Sequence, residues 1–208
     1  KTTQAKMLAQ ALKACGREAV LTHEPGGGGR VGSTLRNLLK DPSVWRDLGV
    51  AEIYLYAAAR AHHIEALIEP AMRRGAVVIC DRYLDSTRAY QGIGRSRSAE
   101  LIEALHELPP LTLRPERTLL LDLPPQLGLA RARGRDLDEL EGYDAESVSF
   151  FDRVRAGFEK IAKEEPNRVR WIDAAQGPAR VHQRIVTELQ ELFPTLTPIP
   201  ESDFNPNE

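Results

Sequence analysis

Ala76-Val77-Val78-Ile79-Cys80-Asp81-Arg82-Tyr83 carries the strongest structural signal in the chain: a continuous apolar run of strand length that ends abruptly in an acid and a base. Consecutive apolar residues suit a strand buried on both faces, as in a parallel sheet covered by helices. Residues 118–123 and 169–172 are two more such runs, and 19–21 is a shorter one. Helical spacing lies between and around them. Met7, Leu8, Ala11, Leu12 and Cys15 share one face of a helix over 2–15 that Gly16 stops. Leu35, Leu38 and Leu39 restart a helix before Asp41-Pro42, and 48–72 is rich in Ala, Leu and Ile, with Pro70 marking a break or kink. Residues 99–108, 125–133, 147–163 and 179–192 complete the alternation. Strands alternating with helices predict an α/β fold with a parallel sheet, in which ligands sit beyond the carboxyl ends of the strands. The residues just after each run therefore matter most.

The chain has 208 residues and 23.2 kDa, a length for one domain, and its 42% hydrophobic content can build a core without disulfide or metal staples. We assign 1–193 to that domain. Pro194, Pro198, Pro200 and Pro206 predict an ordered-to-flexible tail over 194–208 rather than another domain. The formal charge of -2 excludes wholesale electrostatic binding to nucleic acid or to acidic membranes. Near-neutrality hides an asymmetry of 22 Arg against 6 Lys, and the arginine fork matches phosphate and carboxylate oxygens. Cys15 and Cys80 have no metal-ligand spacing and are expected to be buried thiols in a reducing compartment. Without an apolar run of membrane-spanning length or a leader-like start, the expected location is cytoplasmic. No internal repeat is evident.

Four segments carry residues suited to phosphate chemistry. Lys1-Thr2-Thr3 opens a helix, an ordinary start in itself, but also the way a phosphate-binding G-x-x-x-x-G-K-[ST] loop ends. Asp81 stands where a carboxylate can hold Mg²⁺ and Arg82 where it can clamp a phosphate, although an Asp there could equally cap the next helix. Ser86, Tyr90 and Gln91 bring a hydroxyl, a ring and an amide close together, a set more often found as plain surface. Arg131, Arg133 and Arg135 form a basic cluster able to stabilise charge on a transferring phosphoryl group, or else a solvated helix face.

Taken in order, KTT (1–3), THEPGG (22–27), YLYAAARAHH (54–63), DRYLDSTRAYQG (81–92), LLLDL (119–123), GLARARGRDLDELE (128–141), FFDRVRAGF (150–158) and WIDA (171–174) resemble the thymidylate kinases. The most specific of these is DRYLDSTRAYQG. The resemblance implies a P-loop parallel sheet flanked by helices, transfer of a phosphoryl group from ATP to dTMP, Mg²⁺ as cofactor, and a homodimer with 50–61 as a possible contact. It further implies that Lys1 and Thr2 handle ATP phosphates and Mg²⁺, with Thr3 near the α-phosphate. Asp81 would assist the metal and Arg82 would hold the dTMP phosphate. Glu24 would be the acidic residue near the acceptor and the metal, with Pro25 shaping the loop, Tyr56 would stack on thymine, and Arg60 would reach the base. Ser86, Tyr90 and Gln91 would complete the nucleoside pocket, where the tyrosine ring disfavours a 2′-hydroxyl. Arg131, Arg133 and Arg135 would belong to a lid over ATP at about 131–146. A strand and glycine loop of roughly a dozen residues ahead of Lys1 are also implied, and a chain truly beginning at Lys1 would bind ATP poorly.

Three features depart from the family pattern. His23 stands where an arginine usually precedes EPGG, Gly28-Gly29 loosens the same loop, and Glu139 replaces the arginine of a D-R-x-E lid motif. Two other classes compete: a deoxynucleoside kinase of similar fold, which needs a general base for a 5′-hydroxyl, and a non-catalytic nucleotide-binding protein.

Overall fold

An apolar stripe on the first helix marks where the core begins. In the computed structural model, which describes residues 1–45, 47–128 and 147–206, Thr2–Ala14 forms α1 and turns Met7, Leu8, Ala11 and Leu12 inward. Gly16 follows at φ 79°, a left-handed turn that a residue without a Cβ makes at little cost. β1 (Ala19–His23) and β2 (Val77–Asp81) are parallel, in register from Ala19 opposite Val77 to His23 opposite Asp81. Between them lie α2 (Arg30–Lys40), α3 (Pro42–Trp45), α4 (Ala51–His63) and α5 (Glu69–Arg73). After β2 come α6 (Leu84–Thr87), α7 (Ala99–His106), β3 (Thr118–Asp122), α8 (Val148–Glu164), β4 (Val169–Asp173) and α9 (Pro178–Leu189). β3 and β4 are parallel, with Thr118 opposite Val169 and Asp122 opposite Asp173. The fold is therefore α/β with parallel strands flanked by helices.

Four details differ from the sequence expectations. Among the described residues the strands form two separate two-stranded ladders, so each strand keeps an unladdered edge. In consequence only Thr22, Leu120, Val169 and Ile172 of the four strands are buried, and the other strand residues are half-buried or exposed. The two pairs still share one core, since Val77, Ile79, Leu119 and Leu121 all pack against the cluster of Leu8, Leu12, Ile185 and Val186 from α1 and α9. The α-helix is interrupted just before Pro70, as expected, but by a change of winding and not by a turn. The chain passes from α4 through a wider π-helical stretch, Ile64–Ile68, which places Pro70 in the first turn of α5, where its missing N–H costs least.

Cys15 and Cys80 are free but half-buried rather than fully buried. The described part of the C-terminal segment is packed on the domain to a greater extent than its composition suggests. Leu196 is inserted into the core, the backbone N–H of Ile199 donates to His182 Nε2 at 3.2 Å, and Gln10 Nε2 donates to Asn205 O at 2.5 Å. The prolines remove N–H groups that would otherwise need partners, so an extended segment can lie across α1 and α9 with few hydrogen bonds.

A buried ion pair anchors the segment after β2. Asp85, 5% exposed, accepts from Arg168 Nη2 at 2.7 Å and Nη1 at 2.8 Å and from the Thr118 hydroxyl at 2.8 Å. Arg168 Nε and Arg88 Nη1 both donate to Glu165, at 2.7 and 2.8 Å, and Arg88 reaches Glu103 as well. One carboxylate thus ties α6 to the starts of β3 and β4. Replacing Arg168 with Met leaves Asp85 buried with only the hydroxyl and a more distant Arg88, 3.7 Å away. The R168M variant is expected to lose about 2–3 kcal/mol of stability, read as a lowered urea midpoint with an unchanged slope.

Candidate active site

Asp81 ends β2, and the chain must leave the sheet at once to begin α6. It does so through Arg82, which sits at φ 72°, a left-handed conformation that costs a side-chain-bearing residue on the order of 1–3 kcal/mol. Cys80 Sγ donates to Arg82 O at 3.0 Å, and Glu24 N donates to Asp81 O at 3.0 Å, which hold the turn from two sides. The turn puts the Arg82 guanidinium over the Tyr90 ring, 4.9 Å from its centroid, within cation–π range. Tyr90 is in turn set edge-on against Phe150 and Phe158 of α8, both at 6.1 Å. The π-helical segment carrying it, Arg88–Gly94, is therefore fixed on its far side by α8.

The amino end of α1 meets the carboxyl end of β2. Thr2 Oγ1 donates to Asp81 Oδ2 at 3.4 Å, so two residues far apart in the chain form one oxygen pair. No side chain caps α1, whose first residues Thr2 and Thr3 are exposed and whose first-turn N–H groups carry the positive end of the helix dipole. Oxygen ligands of this kind fit Mg²⁺.

Behind that edge lies a buried polar cluster. Glu24, joined to Pro25 by a cis peptide, is 5% exposed and has both carboxylate oxygens engaged. Arg60 Nε donates to Oε2 at 2.8 Å and His63 Nδ1 to Oε1 at 3.0 Å. Arg60 itself is 1% exposed. Its Nη2 donates to Thr87 Oγ1 at 3.0 Å, its Nη1 to His106 Nε2 at 2.5 Å, and the Tyr83 ring covers the guanidinium at 4.9 Å. Thr22 Oγ1 lies 2.8 Å from His63 Nε2. Tyr56, half-buried, sits one helical turn before Arg60 on α4 and so shares its face. Ser86 is half-buried on α6, and Gln91 is buried with Nε2 donating to Glu52 Oε1 at 3.0 Å, an oxygen that also accepts from Arg95.

The loop after Glu24 is shaped by close approach. A Cβ on Gly27 would lie 2.2 Å from His63 Nε2, and Arg36 Nη1 donates to Pro25 O at 2.7 Å. Partial burial and the Arg36 charge hold His23 below the usual histidine range, so at neutral pH it contributes no positive charge where an arginine would. Burial first, then Glu24, pushes the Cys80 thiol well up. Glu24, His63 and Cys80 have potential ligand atoms within 4.8 Å of one another. A protonated thiol and a guanidinium already bonded to the carboxylate make this cluster unsuited to a cation.

The structure thus brings together Thr2 with Asp81, Arg82 with Tyr90, and Glu24 with Arg60. Arg131, Arg133, Arg135 and Glu139 lie outside the described residues. Sequence reasoning missed His63, Thr87, His106 and Glu52. His63 was findable, lying three residues after Arg60 on the same helix. His106 and Glu52 were not, because their roles come from contacts across 46 and 39 residues.

Residues 1–185 match the family model described as Thymidylate kinase. A thymidylate kinase of Synechococcus sp. (strain JA-2-3B'a(2-13)) is 43% identical over 197 residues, 95% of this chain and 92% of that protein. One from Geobacter sulfurreducens is 43% identical over 181 residues, 85% of this chain and 84% of its own. The crystal structure of thymidylate kinase from Ehrlichia chaffeensis superposes with a TM-score of 0.68 at 32% identity, covering 91% of each chain.

Two outcomes follow from this geometry. Gly27→Ala drives a methyl into the His63 ring and is expected to loosen Glu24, raising KM for the acceptor several-fold more than KM for the donor in steady-state assays. Burial and the Arg60 charge push His106 down to about 4 from its ordinary 6.5, with Arg114 adding to the shift and Glu103 and the Ile102 carbonyl opposing it. The unfolded chain therefore takes up a proton between about pH 6.5 and 4 that the folded chain does not. His106's contribution is full above that window and lost as pH falls through it. Urea unfolding at about pH 7 and pH 5 should give a lower midpoint at the acid value.

Proposed function

The chain belongs to the thymidylate kinase family, which transfers a phosphoryl group from ATP to dTMP, and on that premise we propose which of its residues bind and align the two nucleotides. The observation that carries the assignment is the Thr2–Asp81 pair at the amino end of α1, directly beside the Arg82 turn. Lys1 neutralises the donor phosphates, with Thr3 and the first-turn N–H groups of α1 adding to the positive field. Thr2 and Asp81 would hold Mg²⁺ through their side-chain oxygens, and the ion would supply neutralising charge for the ATP phosphates.

Arg82 holds the acceptor phosphate. Its stacking on Tyr90 limits its motion, so less rotamer entropy is lost when the phosphate arrives. Tyr56 stacks on the base, Arg60 addresses it, and Ser86, Tyr90 and Gln91 close the nucleoside side, while Glu24 and Pro25 set the loop beneath. Arg131, Arg133 and Arg135, which lie outside the described residues, are given by the family resemblance to a lid over ATP, where their charge would face the phosphates. Phosphoryl transfer to a phosphate oxygen needs alignment and positive charge more than a strong base. Glu24 suits that requirement: with both oxygens held by Arg60 and His63 it is not placed to deprotonate a 5′-hydroxyl. This favours a monophosphate over a nucleoside as acceptor.

A homodimer is part of the same reading. On α4, Ile53 is buried while Tyr54 is 50% exposed and neighbouring Val50 is 54% exposed, a face that a second copy would cover. No helix among the described residues is long and apolar enough to cross a membrane, and we place the enzyme in the cytoplasm without a nucleic-acid partner.

Turnover with dTMP and with thymidine tests the acceptor assignment: the full-length protein should use dTMP and leave thymidine unchanged, and the opposite result would overturn it. Asp81→Asn should lower kcat with dTMP about 100-fold or more and raise the Mg²⁺ concentration needed for half-maximal rate. Sedimentation equilibrium should return twice the chain mass, falling toward one when Tyr54 is replaced by Glu.

A further inference from the structure

We propose that His106 is a positioning residue for nucleotide recognition: by accepting a hydrogen bond from Arg60 it sets the plane of the guanidinium that addresses the acceptor base. The inference rests on the role given to Arg60 above and adds a residue that neither the motifs nor the family resemblance contains.

The geometry leaves His106 one possible proton arrangement. Its Nδ1 lies 2.6 Å from the carbonyl oxygen of Ile102, which can only accept, so Nδ1 carries the proton. Nε2 therefore presents its lone pair, and Arg60 Nη1 donates to it at 2.5 Å. The ring is 1% exposed and cannot turn away into solvent. A proton on Nε2 would point at a guanidinium, in keeping with the low pKa of this histidine.

Arg60 is anchored from three places. Glu24 follows β1, Thr87 belongs to α6 and His106 ends α7, and each takes a different nitrogen of the fork. Three such bonds determine the plane of a rigid planar group, whereas two would leave it free to rock about the line joining them. Among the described residues these bonds use one N–H on each nitrogen, so Nη1 and Nη2 each retain a second N–H for a carbonyl acceptor such as those on a pyrimidine. A base contact made by a fixed fork is worth more than one made by a mobile fork, because less rotamer entropy is lost on binding.

A merely structural histidine would also satisfy a buried arginine, so the test separates the two roles. His106→Leu removes the acceptor. His106→Gln keeps one, since Gln Oε1 falls near the place of Nε2. We expect the Leu variant to raise KM for dTMP about tenfold, as loss of one hydrogen bond to a charged group implies, with kcat and KM for ATP within about twofold of wild type. The Gln variant should recover most of the loss.

The inference is overturned if Leu and Gln behave alike, or if kcat and both KM values fall off together in proportion to lost thermal stability. Should the Leu variant not fold, the wild-type protein answers alone. With only five histidines, ¹⁵N-histidine labelling resolves His106. Its Nε2 should appear unprotonated and shift on saturation with dTMP but not with a non-hydrolysable ATP analogue. A protonated or unresponsive Nε2 overturns the proposal. Failure of the wild type to phosphorylate dTMP would instead remove the reading of the site on which it rests, and that assay comes first.

Discussion

A buried guanidinium with no hydrogen-bond partner would cost several kcal/mol, and the site is organised around avoiding that cost. Arg60 sits 1% exposed at the meeting point of four segments. Glu24 neutralises it, Thr87 and His106 each take one further N–H, and Tyr83 covers its face. Each partner is obliged to be where it is because the arginine is there. The cis Glu24-Pro25 link, the bare Gly27 against His63 and the π-helical stretch before α5 all lie on segments that converge on this one charge. The carboxylate that looks most like a base is thereby committed to structure, leaving transfer chemistry to groups at the open edge.

That open edge is set by a second constraint. Asp85 lies buried under Arg168 and Thr118, fixing α6 and the π-helical segment after it against β3, β4 and α8. The strained turn at Arg82 is held between this anchor and the end of β2. The strain is tolerated because backbone hydrogen bonding at Asp81 and the packing of Tyr90 on α8 leave the chain no relaxed alternative. The two arginines proposed for the acceptor therefore differ in kind: Arg60 is buried and bonded on every nitrogen, and Arg82 is stacked on Tyr90.

Much of this was legible in the chain. The runs at 76–80, 118–123 and 169–172 are strands to within a residue, since short, mainly apolar runs between turn signals fit a strand better than a helix face. The helix stop at Gly16 and the Asp-Arg pair after a strand were equally readable. Pro70 located the interruption of the helix but not its form, because a proline signals a lost hydrogen bond and not that an upstream π-turn absorbs it. At the proline-rich end composition reports a low tendency to form regular structure, and Leu196 in the core shows that an irregular segment can still be fixed by packing.

The amino-acid sequence by itself determined the α/β alternation, the surplus of arginine over lysine, and the motif residues Lys1, Thr2, Glu24, Arg60, Asp81 and Arg82, because each is a local pattern or a short spacing. Tertiary structure alone decided that Thr2 meets Asp81 across 79 residues, that Glu24 is held by both Arg60 and His63, and that His106 orients the buried arginine. Hydrogen bonds between distant segments leave no period or spacing in the chain. They exist only after the hydrophobic core has brought the segments together and excluded the water that would otherwise satisfy them.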